Sequence, residues 1–234
     1  MKQIVLPGTK IADVAKRFEG SFVDGNATFA SVVSLRQDDR VIPLKGHYVP
    51  RMGDYVVGIV KEVRFSGFSV DLNSPYDGSI SAKETREAFE VGDVISAKIR
   101  SVDEVHEPLL VEPRKLWGGR LIDVESVKVP RIIGRNGSML SMLKAYSKSD
   151  LFVGKNGRIY LKNGDVALAA IAVLKICREA HLTGLTDRIK AFLEKESGIV
   201  ISAEELAKFE SASAPQSAPG GASSFGPRER SERY

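Results

Sequence analysis

The chain has 234 residues, 43% hydrophobic and 27% charged, with 34 Lys and Arg against 30 Asp and Glu for a formal net charge of +4. That balance excludes a disordered chain and a histone-like polycation, so affinity for nucleic acid would have to come from locally gathered cations. A single cysteine, Cys177, excludes an intrachain disulfide, and the longest apolar run, Val166–Leu174, is too short to span a bilayer.

No basic-then-apolar leader opens the sequence, so a cytoplasmic protein without membrane association is expected. Residues 1–51 read as a small β domain. Phe22–Val33 and Arg40–Leu44 are rich in β-branched and aromatic residues, and Pro7-Gly8, Asp24-Gly25-Asn26, Gln37-Asp38-Asp39 and Lys45-Gly46 mark turns. Asp38-Asp39 is taken as a polar hairpin tip, since no third metal ligand stands nearby.

Residues 52–113 read as a five-stranded barrel of the OB type. Phe68, Val70 and Leu72 alternate with Ser69 and Asp71, the period of a half-buried strand. Gly58 and Gly67 stand where barrel strands bend, and Gly92-Asp93-Val94 repeats the Gly53-Asp54-Tyr55 opening.

Residues 116–195 read as mixed α and β. Trp117 is expected to pack between domains. A strand is expected over Arg120–Val129, a Gly-punctuated turn over Pro130–Gly137, and a helix over Ser138–Tyr146, where Met139, Met142, Leu143 and Tyr146 fall at helical spacing. Strands at Leu151–Val153 and Arg158–Leu161 flank Gly154-Lys155-Asn156-Gly157, whose Asn-Gly pair predicts a tight turn with both residues at positive φ. Helices follow at Asp165–Ala180, carrying Cys177 toward the core, and at Thr183–Leu193. The segment 196–234 ends, from Ser211, in small and polar residues with nothing to bury, and is expected to be a disordered tail. The fold class is multidomain, mainly β plus α+β.

The segment with most chemical content is Val129-Pro130-Arg131-Ile132-Ile133-Gly134-Arg135-Asn136-Gly137-Ser138. Two glycines let a nucleic-acid backbone approach without a Cβ in the way, the N-terminus of the next helix favours phosphate, and Arg131 and Arg135 add charge. Ile133-Gly134-Arg135-Asn136-Gly137, followed by helix, strand, strand and helix, resembles a KH domain of the β-α-α-β-β-α kind. That resemblance implies a clamp on a short single strand by Ile133, Gly134, Arg135, Asn136 and Gly137. Gly154–Gly157 is read as turn and domain packing first, with RNA contact by Lys155 or Arg158 as the second reading.

Gly58 to Leu72, with Asp77-Gly78-Ser79-Ile80, resembles the S-one type of OB barrel. This implies base stacking by exposed aromatics, with Phe65 and Phe68 as candidates, and phosphate contact by Lys61, Arg64, Lys83 and Arg86. Phe68 shares the parity of Val70 and Leu72 and is placed in the core; for Phe65, core and stacking stay equally open. Ser81 stands where such barrels often carry His.

The order of these units, with Leu6-Pro7-Gly8, Pro43-Leu44-Lys45-Gly46-His47-Tyr48 and Gly184-Leu185-Thr186-Asp187-Arg188, resembles the S-one/KH cap subunit of the archaeal-type RNA exosome over about residues 4–195. The resemblance implies a non-catalytic subunit that binds single-stranded RNA, favours poly(A) or purine-rich tails, and sits as one of three caps on a ring of RNase PH-like subunits. No cofactor is implied. His47, His106 and His181 lie too far apart in the chain to suggest a metal site, and no nucleophile–base grouping is visible. Two other readings are a KH-type ribosome-assembly factor and a phosphorolytic exoribonuclease; the second lacks room for a catalytic fold.

Overall fold

A computed structural model describes residues 2–16, 18, 20–37, 40–85, 87–182, 184–199 and 201. The expected hairpin tip at Asp38-Asp39, the cation Arg86 and the tail from Ser211 lie outside the described residues.

The first part of the chain forms two three-stranded antiparallel sheets. β1 (Lys2–Val5), β5 (Ser34–Gln37) and β6 (Arg40–Pro43) pair in the order β1-β5-β6; β2 (Lys10–Ala12), β3 (Ser21–Asp24) and β4 (Ala27–Ala30) pair as β2-β4-β3. Gly25, at φ 57°, makes the β3–β4 turn that Asp24-Gly25-Asn26 predicts. Among the described residues the shared core is Val5, Ile11 and Ala30, with Phe18 and Val41 against it. So small a core is weak by itself, and the unit leans on its neighbours. Gly46 lies where a Cβ would stand 3.2 Å from Val127, and the Ser126 hydroxyl donates to the Gly46 carbonyl.

β7 (Tyr55–Arg64), β8 (Gly67–Asp71), β9 (Gly78–Ser81), β10 (Val94–Val102) and β11 (Pro108–Lys115) close into a barrel of order β10-β11-β9-β8-β7, sealed by β10 against β7. The inward residues Val60, Val70, Leu72, Ile80, Ile95, Ile99 and Leu110 are almost completely buried. Gly58 is required by packing, since a Cβ there would meet Val70 at 2.2 Å. The β7–β8 ladder carries its bulge between Val60 and Glu62. Phe68 is half-buried and meets Phe89 edge-on at 5.2 Å. It belongs to the barrel core rather than to an exposed stacking surface.

The last unit runs β12 (Arg120–Asp123), α1 (Val129–Ile133), α2 (Ser138–Ser147), β13 (Asp150–Val153), β14 (Arg158–Lys162), α3 (Val166–Glu179), α4 (Leu185–Ser197). Its sheet order is β12-β14-β13, all antiparallel. Ile132, Leu143, Ile159, Leu161, Ile176, Ile189 and Leu193 fill the core between sheet and helices. Asp165 caps α3 by accepting from the Leu168 amide at 2.9 Å.

Two expectations fail here. The strand expected over Arg120–Val129 ends at Asp123, because its partner β14 begins at Arg158 and beyond it the Val124 amide makes one last bond to the Gly157 carbonyl; after a 3-10 turn at Ser126–Lys128, Pro130 starts a helix. Trp117 does not pack between domains. The residue is 63% exposed, with the Lys115 ammonium 4.2 Å from the ring centre.

Candidate nucleic-acid interface

Two loops with one composition, Gly-cation-Asn-Gly, stand in opposite surroundings. The first, Gly134–Gly137, joins α1 to α2. Gly134, Asn136 and Gly137 all take left-handed φ values, 76°, 53° and 81°, which explains the glycines and the asparagine. A Cβ on Gly134 would crowd Met139 at 2.8 Å, whereas one on Gly137 would meet open space. Arg131, Arg135 and Asn136 are exposed, Ile133 is half-buried, and neither arginine has an ion-pair partner among the described residues. The motif thus presents bare backbone and two free guanidinium groups.

The second loop, Gly154–Gly157, joins β13 to β14 and is plugged into the barrel. The expected turn with Asn156 at positive φ does not form; Gly157 alone is left-handed, at 84°. Asn156 is 1% exposed. Its side chain accepts from the Val57 amide at 3.2 Å and donates to the carbonyls of Val57 and Leu72 at 2.7 and 2.8 Å. The Lys155 amide donates to Tyr55, and a Cβ on Gly157 would stand 2.2 Å from the Val124 carbonyl.

Arg158 is the clearest correction among the expected RNA contacts. It is 5% exposed and donates to both the carboxylate and the carbonyl of Asp71, with Asp123 at 3.4 Å from Nε. Burial alone would raise the Asp71 carboxyl, but the Arg158 guanidinium and the Asn73 amide outweigh it and hold it below its ordinary value of 3.8. Arg158 therefore serves the joint between barrel and KH unit and offers no donor to a strand. Lys155 stays exposed at its edge.

On the barrel, the end of β7 projects from the closed part. Phe65 is 106% exposed at the β7–β8 tip, so of the two readings of this ring the core one fails. Lys61 pairs with Asp77 and Arg64 with Glu62, both at 2.7 Å and solvent-exposed. Such pairs contribute little, roughly 0–1 kcal/mol, and an incoming phosphate can displace the carboxylate. Asp77 holds the Lys61 ammonium above its ordinary range, so it is charged at neutral pH. The Ala82 amide donates to Ser66, which brings exposed Lys83 beside the Phe65 tip. Below them runs a groove of about 340 Å³ lined by Arg64 and by Ser66, Ser69, Ser79 and Ser81. Lys61, Arg64, Phe65 and Lys83 thus share one side of the barrel. No hydrogen bond or ion pair among the described residues links them to the 134–137 turn.

Sequence reasoning missed one feature near this groove. Tyr76 and His106 stack at 5.2 Å with their planes 22° apart, next to Asp77 and Glu107 of the groove. His106 takes a left-handed φ of 66° in the loop between β10 and β11, which presents its ring to Tyr76. Cys177, expected in the core, is half-buried, and burial pushes its thiol up. The described residues hold no cluster of three or more His, Cys, Asp or Glu placed for a metal, and no helix long and apolar enough to cross a membrane.

No family model matches the chain. The exosome complex component Rrp4 of Thermococcus kodakarensis is 36% identical over 237 residues, covering 88% of this chain and 92% of that protein. The Methanosarcina mazei component of the same name is 40% identical over 215 residues, 83% of each. The chain belongs to the Rrp4 family of exosome complex components. A similar fold is met in the crystal structure of a protein designated an exosome complex RNA-binding protein: 35% identity, a TM-score of 0.59, and coverage of 64% of this chain and 97% of that one.

Proposed function

We propose that this protein is a non-catalytic, RNA-binding cap subunit of a cytoplasmic exosome. It captures single-stranded RNA, with a preference for poly(A) or purine-rich 3′ tails, and guides it to a ring of RNase PH-like subunits for 3′–5′ degradation. Three copies cap each ring. The observation that carries the reading is the open Gly134–Gly137 turn in a chain of the Rrp4 family, with Arg131 before it and Arg135 within it, neither ion-paired among the described residues.

The division of labour is as follows. Gly134 and Gly137 admit the sugar–phosphate backbone, while Arg131 and Arg135 neutralise its phosphates and Asn136 offers a polar contact. Phe65 stacks on a base, and Lys61, Arg64 and Lys83 follow the adjacent phosphates. Lys155 adds a peripheral cation. The N-terminal sheets, with Ile4, Leu6, Val14 and Phe22 exposed, supply apolar surface for the ring.

The test is retention on immobilised oligoadenylate at graded salt, alone and after assembly with RNase PH-like subunits. Salt-sensitive retention and an assembled complex support the reading. Indifference to RNA at low ionic strength in both states removes it, and RNA loss catalysed by the isolated chain with phosphate would show an enzyme instead.

A further inference from the structure

A cleft of about 550 Å³ lies between the N-terminal sheets and the KH unit. Its size falls in the range, about 300–1,000 Å³, of pockets that enclose small organic groups. Phe18, Val41 and Leu44 on one side and Pro130 on the other give it apolar walls. Its rim is basic: Lys45 follows β6, Lys128 and Arg131 come from the approach to α1 and from α1 itself, and Arg178 from the end of α3. Among the described residues of the lining the acid is Glu125, which has Lys128 at 3.2 Å and is neutralised locally. Lys45, Arg131 and Arg178 are exposed and have no ion-pair partner among the described residues. Three free cations around an apolar hollow match a polyanion that also carries flat apolar groups. Arg131 stands three residues before Gly134, so the rim of the cleft continues into the 134–137 turn.

We infer that this cleft is a second subsite for single-stranded RNA. A strand leaving the turn passes Arg131, lays its next phosphates against Arg178 and Lys45, and sets a base against Phe18, Val41 and Leu44. The inference rests on the turn being an RNA contact. It adds that the N-terminal unit takes part in holding the strand.

The experiment uses the full chain and fluorescent oligoadenylates of about four nucleotides, enough for the turn alone, and about twelve, enough to continue into the cleft. Lys45→Ala/Arg178→Ala removes two exposed side chains that make no ion pair among the described residues, so the fold is expected to stand, as a melting curve will show. The longer strand should bind about tenfold more weakly to this variant. Its log–log salt slope should shrink by about 1.4, two phosphates at roughly 0.7 each. The short strand should be unaffected. Unchanged affinity and slope for the longer strand, in a protein where Gly137→Asp weakens both, would overturn the cleft and leave the turn standing. Failure of the unaltered protein to bind either strand would remove the turn, and the cleft with it. Selective loss of a polyglutamate peptide, with RNA affinity intact, would assign the cleft to an acidic protein partner and overturn the proposal.

Discussion

The turn 134–137 and the loop 154–157 carry nearly one text, Gly-Arg-Asn-Gly and Gly-Lys-Asn-Gly, and do opposite things. In the first, Asn136 is exposed in a left-handed conformation and the backbone faces solvent. In the second, Asn156 is sealed in the barrel and satisfies three backbone groups of β7 and the residue after β8. Motif chemistry is permissive. Glycines allow close approach of any backbone, whether that of a ligand or of a neighbouring domain, and the surroundings decide which comes.

The largest effect that separates the two is on stability. Asn156→Ala strands one buried N–H and two buried carbonyls, and the cost should be about 3 kcal/mol. Asn136→Ala should cost about 1 kcal/mol, the strain of a left-handed alanine. Urea melts of the two variants measure the difference, and equal losses would erase the distinction. Affinity separates them in the other direction. Gly137→Asp places a carboxylate in open space beside the proposed phosphate path and should weaken oligoadenylate binding about tenfold, or about 1.4 kcal/mol, read by fluorescence anisotropy. Gly134→Asp is the poorer probe, because its Cβ would press on Met139.

Phe65→Ala should reduce affinity about fivefold, at the low end of a base-stacking loss of roughly 1–3 kcal/mol. The melting temperature should not move, since the ring is fully exposed. The smallest effect is a pH dependence of the joint. Because Arg158 holds the folded Asp71 carboxyl below 3.8, its contribution to stability is complete above that value and is lost as pH falls through the lower folded value. Between about pH 5 and pH 3 the melting temperature should fall more steeply in the unaltered protein than in Asp71→Asn. Parallel curves would mean that Asp71 does not report on the joint.

Much of the fold was legible because it is encoded at short range. The alternation Phe68-Val70-Leu72 and the helical spacing of Met139, Met142 and Tyr146 each reflect one element's own buried face, and the repeated Gly-Asp openings mark the local turns into β7 and β10. The end of the strand at Arg120 is not legible in its own residues, because it depends on where β14 begins. The site was legible to the same extent. The left-handed turn at Gly134–Gly137 follows from its own residues, whereas Arg158 looks like any surface cation until Asp71, 87 positions away, arrives beside it. Asn156 likewise meets Val57 across 99 positions. A ring at a strand end can point either way, and the two-residue turn Phe65-Ser66 carries that of Phe65 out of the barrel.

The central claim is that one of two near-identical loops meets RNA and the other meets protein. Photo-crosslinking of thio-substituted single-stranded RNA to the full chain, followed by peptide mapping, tests it most directly. The account predicts crosslinks within 131–138 and at Phe65, and none within 154–157. Crosslinks at 154–157 in a folded protein, or a silent 131–138 segment under saturating RNA, would contradict it.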